Sequence, residues 1–191
     1  MLKILVIDER QQRAAEICSG LILAGHQVAA VLASADGLLD QVARIKPDVI
    51  LIETDAPSRD TLEHLAAMDR TAPRPVVLFA SDGEQSTIHN VLRAGVAAYV
   101  VDGLEASRLK PIIDIAVARF TADQSLKQEL AEATRKLSDR KIVEKAKGLL
   151  IKHRQLDEEG AYAALRKLAM DRGKPLVQVA RELLDSAALL F

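Results

Sequence analysis

The chain has one cysteine, no tryptophan, two tyrosines and three phenylalanines in 191 residues. The lone Cys18 cannot close an internal disulfide, and its place in a helical apolar pattern reads as buried filler rather than a nucleophile. No window approaches about 18 uninterrupted apolar residues, so no membrane span is expected. The opening MLKILVIDE has a short apolar run that soon meets acids and no small-residue cleavage site. It does not read as a secretory leader, and the cytoplasm is the expected compartment. Also missing are a glycine-rich phosphate loop and a nucleophile–base pair, and the four histidines are scattered. These absences argue against an enzyme on an α/β scaffold; no catalytic residue and no cofactor is expected.

Net charge is −1 overall but uneven. Residues 1–120 are acidic, and residues 136–191 carry an excess of Lys and Arg. A basic tail on an acidic body suits a polyanionic partner, although an excess this small is also ordinary for a solvated domain.

The first half alternates short β-branched runs (Ile4–Ile7, Val28–Leu32, Val49–Ile52, Val76–Phe79, Ala98–Val101) with amphipathic stretches at 11–24, 38–45, 60–68, 86–93 and 106–120. Five strands alternating with five helices predict a flavodoxin-like α/β fold: a five-stranded parallel sheet covered on both faces. The fifth helix has no strong breaker from Ile112 to about Arg154 except Gly148. Apolar residues recur along it at 109, 113, 116 and 120, then at 126, 130, 133 and 137. That near-heptad stripe predicts self-association through a coiled coil, unless the chain's own C-terminal helices cover it. Two further helices follow, one capped by Asp157 and ending near Gly173, the other opened by Pro175 at its first position. The tail is thus a three-helix all-α unit.

Ligands of such sheets sit at the carboxyl ends of the strands. Asp8 and Glu9 follow the first strand and Glu53 the third, so three carboxylates could converge there, a set suited to Mg²⁺. The segments ILVIDE, PDVILIE followed by Pro57, and AGVAAYVV make residues 1–120 resemble a two-component receiver domain. In that family an aspartate at the position of Glu53 takes a phosphoryl group, which a Thr or Ser after the fourth strand and a Lys after the fifth then sense. Here Glu53, Ala80 and Asp102 stand at those three places. Glutamate is longer by a methylene, alanine has no hydroxyl to donate, and Asp102 places a negative charge where a cation is needed. Ser81 is one residue late and faces the other way. The expectation is a pseudo-receiver that takes no phosphate. Asp8, Glu9 and Glu53 retain the option of weak Mg²⁺ binding, with a plain acidic pocket the simpler reading.

In the tail, the stretch RKIVEKAKGLLIK starts at Arg140. At 100° per residue, Ile142, Val143, Ala146, Leu149, Leu150 and His153 share one side of a helix. Lys141, Lys145, Gly148 and Lys152 fall within about 60° on the other. Glycine inside a helix costs about 1 kcal/mol relative to alanine, but among lysines it lets a backbone approach closely. That is what a phosphate-tracking face needs; a solvated lysine face is the plainer alternative. Arg140, Lys147, Arg154, Arg166 and Lys167 are candidates to extend the patch. The tail's aromatics are Tyr162 and Phe191. Tyr162 sits at a position more often core than a stacking platform, and base stacking, if used, would fall to arginine planes, His153 or Tyr162.

The run SDRKIVEKAKGLLIKHRQLDEEGAYAALRKLAM, followed by PLVQVARELL, resembles the ANTAR domain, an RNA-binding antiterminator module, from about Leu130 to Leu184. PSRD, RAGVAAYVVDGLEASRLKPIIDIAVARF and AKGLL make the whole chain similar to antiterminators of the NasT type, which serve nitrate and nitrite assimilation. The resemblance implies a receiver-like domain at 1–120, a long linker helix at 106–137 and an ANTAR domain at 130–191. It implies binding to stem-loops of nascent mRNA leaders, which prevents terminator formation. It also implies control by an inhibitory ligand-binding sensor protein that responds to nitrate or nitrite; the homodimer is expected from the heptad stripe. The rival readings are a phosphorylation-independent DNA-binding response regulator and a protein adaptor. Against the first, the last helix is mostly apolar and carries few cations.

Overall fold

The computed structural model describes residues 1–8, 14–101 and 105–188. The chain divides into two compact units, Met1–Gln124 and Ser125–Phe191.

In the first unit, five strands lie parallel in the order β2-β1-β3-β4-β5. They are β1 (Lys3–Asp8), β2 (Gln27–Leu32), β3 (Val49–Thr54), β4 (Val76–Ala80) and β5 (Ala98–Val101). The helices between them are α1 (Ala14–Leu23), α2 (Leu38–Ile45), α3 (Arg59–Thr71) and α4 (Gln85–Arg93). The strand side chains alternate between two cores, which is why the runs are apolar throughout. Leu5, Ile7, Ile50, Ile52 and Leu78 pack against Leu38, Val42, Leu65, Met68 and Val91 of α2, α3 and α4. Ile4, Val6, Leu51, Val77 and Phe79 pack on the opposite face against Ile17 and Leu21 of α1 and Leu109, Ile113 and Ala116 of the helix that follows β5.

Local chemistry sets the ends of these elements. Ser58 caps α3 by accepting from the Thr61 amide at 3.0 Å. Gly95, at φ +89°, turns the chain from α4 into β5, and a Cβ there would stand 2.7 Å from the Asp69 side chain. Only glycine meets both demands. The predicted first helix is described from Ala14; the part of it before that residue lies outside the described residues.

The helix α5 runs Ala106–Arg154 and contributes to both units. In the second unit it is followed by α6 (Glu158–Arg172) and α7 (Leu176–Ala188). Their core is Ala146, Leu150, Ala161, Leu165 and Ala180, with Ile142, Val143, Leu176 and Leu183 packed around it. Asp157 caps α6 by accepting from the Gly160 amide at 2.8 Å, and Gly173 ends it in the left-handed conformation. Pro175 stands just before α7 rather than at its first position: its carbonyl accepts from the amides of Gln178 and Val179. A proline serves equally there, because the cap position needs its carbonyl and not an N–H. Among the described residues no helix is long and apolar enough to cross a membrane.

Candidate nucleic-acid interface

The second unit sorts its cations into those already spent on the protein and those left over. Lys136 pairs with Glu132, and Arg172 and Lys174 both hold Glu182, at 3.2 and 2.6 Å. Lys174 is the main reason that the Glu182 carboxyl is held below the usual glutamate range. Lys147 departs most from expectation. It was a candidate for the basic patch, but it is 7% exposed and its ammonium lies 2.8 Å from Glu158 and 2.9 Å from Glu144. Its hydrogen bonds to Glu158 and then Glu144 raise its pKa, and Lys147 in turn lowers that of Glu158. Lys147 therefore fastens α5 to the start of α6 and is withdrawn from the patch. Helical position already sets Lys147 on the side of Val143 and Leu150, away from the three lysines; its partner Glu158 comes from another helix and spacing cannot supply it.

The remaining candidates are exposed. Lys141, Lys145 and Lys152 stand on α5 without an ion pair among the described residues, and Gly148 is exposed between them. A Cβ built on Gly148 would meet nothing within 4 Å. No internal packing therefore explains this glycine. The opposite side of the helix is buried as predicted at Ala146 and Leu150, while Ile142, Val143 and Leu149 are half-buried. His153, expected on that side, is exposed in the last turn. Arg140, Arg154, Arg166 and Lys167 are exposed as well. By helical position Arg140 and Arg154 lie away from the three lysines. Arg154 and Lys167 instead come together, with Asp171, around a cleft between α5, α6 and α7. Tyr162, read as core, is 44% exposed, because Ala161, Leu165 and Ala169 supply the buried face of α6.

In the first unit, Asp8 and Glu53 stand opposite each other at the carboxyl ends of adjacent strands. They are 0% and 2% exposed. Ala80 is buried across from Thr54 at the end of β4, with no hydroxyl to offer. Ser81 is exposed and its amide donates to the Asp55 carbonyl. Glu9 and Asp102 lie outside the described residues. Among the described residues no group of three potential ligand side chains is placed to hold a metal ion. Cys18 is half-buried rather than buried, and burial together with the Asp8 charge pushes its thiol up. A thiol so shifted is a poor nucleophile.

The five-stranded parallel sheet, with its helices on both faces, gives the first unit a receiver-like fold. The structure superposes on the signal receiver domain of a modulated diguanylate cyclase from Desulfovibrio desulfuricans with a TM-score of 0.56, at 18% identity, covering 64% of this chain and 98% of that one. The tail is more specific: residues 131–184 match the ANTAR domain model, so the chain carries an ANTAR domain. Two regulators are similar in sequence. The transcriptional regulatory protein PdtaR of Mycobacterium tuberculosis is 25% identical over 96% of this chain and 90% of its own length. The nitrate regulatory protein of Klebsiella oxytoca is 44% identical over 66 residues, 35% of this chain and 17% of that protein.

Proposed function

We propose that this chain is an RNA-binding transcription antiterminator that engages stem-loops in nascent mRNA leaders and keeps a terminator from forming. The observation that carries the reading is the α5 face. Three exposed lysines without internal partners surround a glycine whose Cβ position is open space. A glycine kept in an exposed helix at a cost of about 1 kcal/mol, with no internal contact to explain it, fits a face approached from outside. The lysines suit phosphates, and the ANTAR match at 131–184 points the same way.

Nitrate or nitrite assimilation is the proposed setting, supported by the likeness of 66 residues to a nitrate regulatory protein. Control comes from a ligand-sensing protein partner and not from phosphorylation. Glu53 is longer than aspartate, and Ala80 cannot hydrogen-bond a phosphoryl oxygen. The chain acts as a homodimer. Leu126, Leu130 and Leu137 are 63%, 69% and 56% exposed, whereas the earlier part of the same stripe (Leu109, Ile113, Ala116) is buried in the first unit. The open leucines are the segment left for a second copy.

Salt titrations of the full chain against a leader stem-loop and against duplex DNA test the reading. Each phosphate contact contributes about 0.7–0.9 to the slope of log affinity against log salt. Replacing Lys141, Lys145 and Lys152 by Gln should flatten that slope by about 2 to 3 units. Between about 50 and 200 mM salt the unaltered chain should accordingly lose roughly 20- to 40-fold more affinity than the variant. Equal or tighter binding to duplex DNA would defeat the RNA assignment, and an unchanged slope would show that the phosphates lie elsewhere.

A further inference from the structure

The cleft of the second unit is not part of the lysine face and calls for its own explanation. It encloses about 230 Å³, below the roughly 300–1,000 Å³ of drug-sized sites. Leu150, Ala164, Leu165, Leu168 and Leu183 make its apolar walls. Arg154, Lys167 and Asp171 stand at its rim, all exposed. Among the described residues none of these three makes an ion pair, although cation and carboxylate share one rim.

We propose that this cleft takes a single unpaired nucleobase of the bound RNA, an inference that rests on the RNA-binding reading above. The chemistry of the rim selects the occupant. A flat ring suits apolar walls, a guanidinium can stack on its face, and two cations suit the phosphates on either side of the nucleotide. Asp171 is an acceptor with two oxygens and fits an exocyclic amino group, so the cleft prefers an amino-bearing base to uracil. An acidic peptide would use the cations and leave Asp171 repelled.

The helical positions make the two sites complementary. Lys141, Lys145 and Lys152 lie on the side of α5 roughly opposite Leu150 and Arg154. A rigid stem cannot lie on both. The helix is about 10–12 Å across and ends at Arg154, two residues after Lys152. A strand leaving the lysine face at Lys152 therefore reaches the cleft by rounding the last turn in a few nucleotides. The stem's phosphates go to the lysines, and an unpaired base of the loop goes to the cleft.

The test is a methyl NMR titration of the full chain, labelled at leucine, with four probes. These are a leader stem-loop, a blunt RNA duplex of the same length, cytidine monophosphate and inorganic phosphate. The methyls of Leu150, Leu168 and Leu183 should show ring-current shifts with the stem-loop and the nucleotide, and neither with the duplex nor with phosphate. Asp171→Asn, an exposed change that leaves the core intact, should cut the preference for loops with amino-bearing bases over uridine loops by about tenfold. If the stem-loop binds with its full salt slope while these methyls stay still, the cleft assignment is overturned and the RNA reading stands. Equal shifts with duplex or phosphate overturn it too, and a stem-loop that does not bind at all removes both.

Discussion

Replacing Gly148 by alanine should make the protein more stable and a worse binder at once. Glycine in a helix interior costs about 0.8–1.0 kcal/mol relative to alanine, through backbone entropy that alanine does not lose. The new methyl at this position meets nothing within 4 Å, so no clash offsets the gain. A gain of about 1 kcal/mol in a domain of 60–100 residues raises Tm by about 4–8 °C. In the complex the same methyl stands between Lys141, Lys145 and Lys152, where the RNA backbone is proposed to approach. Holding that backbone off by a methyl should cost at least about 1 kcal/mol, roughly fivefold in Kd. The assay pairs thermal denaturation followed by circular dichroism with filter binding to the leader stem-loop at fixed salt. A variant that is stabilised and binds undiminished would show that RNA does not approach this face. A destabilised variant would refute the helix-propensity argument itself.

Further outcomes follow from other residues. The triple change Leu126→Gln, Leu130→Gln and Leu137→Gln removes about 1–2 kcal/mol of burial per leucine from the proposed dimer, and sedimentation velocity should show half the mass of the unaltered chain; an unaltered chain that is already monomeric at micromolar concentration sinks the coiled coil. Incubation with acetyl phosphate and Mg²⁺ should leave the intact mass unchanged, and Glu53→Asp alone should not alter this while Ala80 remains; acyl phosphate on either protein would overturn the pseudo-receiver reading. His26 is shielded, with neither ring nitrogen hydrogen-bonded, and burial lowers its pKa below 6.5, opposed by Asp114 and helped by Lys110 and the amino terminus. The unfolded chain therefore takes up this proton first, so stability falls as pH drops from the ordinary histidine range towards the lowered value. His26→Leu should flatten that segment of the stability profile, measured by urea unfolding across pH, and a profile of unchanged slope would count against the burial argument.

The fold was legible because its signals are local. Runs such as VILI at 49–52 are apolar on both faces, and only a sheet covered on both sides uses such strands. Their period separates them from the amphipathic helices, and Ser58, Asp157 and Gly173 mark helix ends by chemistry that acts within a few residues. The basic face was legible for the same reason: Lys141, Lys145, Gly148 and Lys152 share one helix and one angular sector. What escaped depends on contacts between helices. The helical position of Lys147 sets it off the lysine face, but the carboxylate that holds it, Glu158, lies on α6. Arg154 and Lys167 are thirteen residues apart on different helices, and the packing of those helices around a core that includes Leu150 and Leu165 brings them to one cleft.

That distinction bears on the proposed RNA-binding face. A cation held by a carboxylate of its own domain must leave that partner and expose it before it can neutralise a phosphate, whereas an unpaired surface lysine gives up little. Nine cations of the second unit illustrate it. Lys136, Lys147, Arg172 and Lys174 stabilise the helical unit. Lys141, Lys145, Lys152, Arg154 and Lys167 are exposed with no ion pair among the described residues, which is why they are the ones proposed to meet the ligand. Neutralising Lys147 should consequently lower the melting temperature and leave the salt slope of the still-folded fraction unchanged, while neutralising Lys145 should do the reverse. Both variants lose one positive charge, so net charge alone cannot produce opposite outcomes. If the two instead behave alike in the salt titration, binding follows total charge rather than a built face, and the division argued from the ion pairs fails.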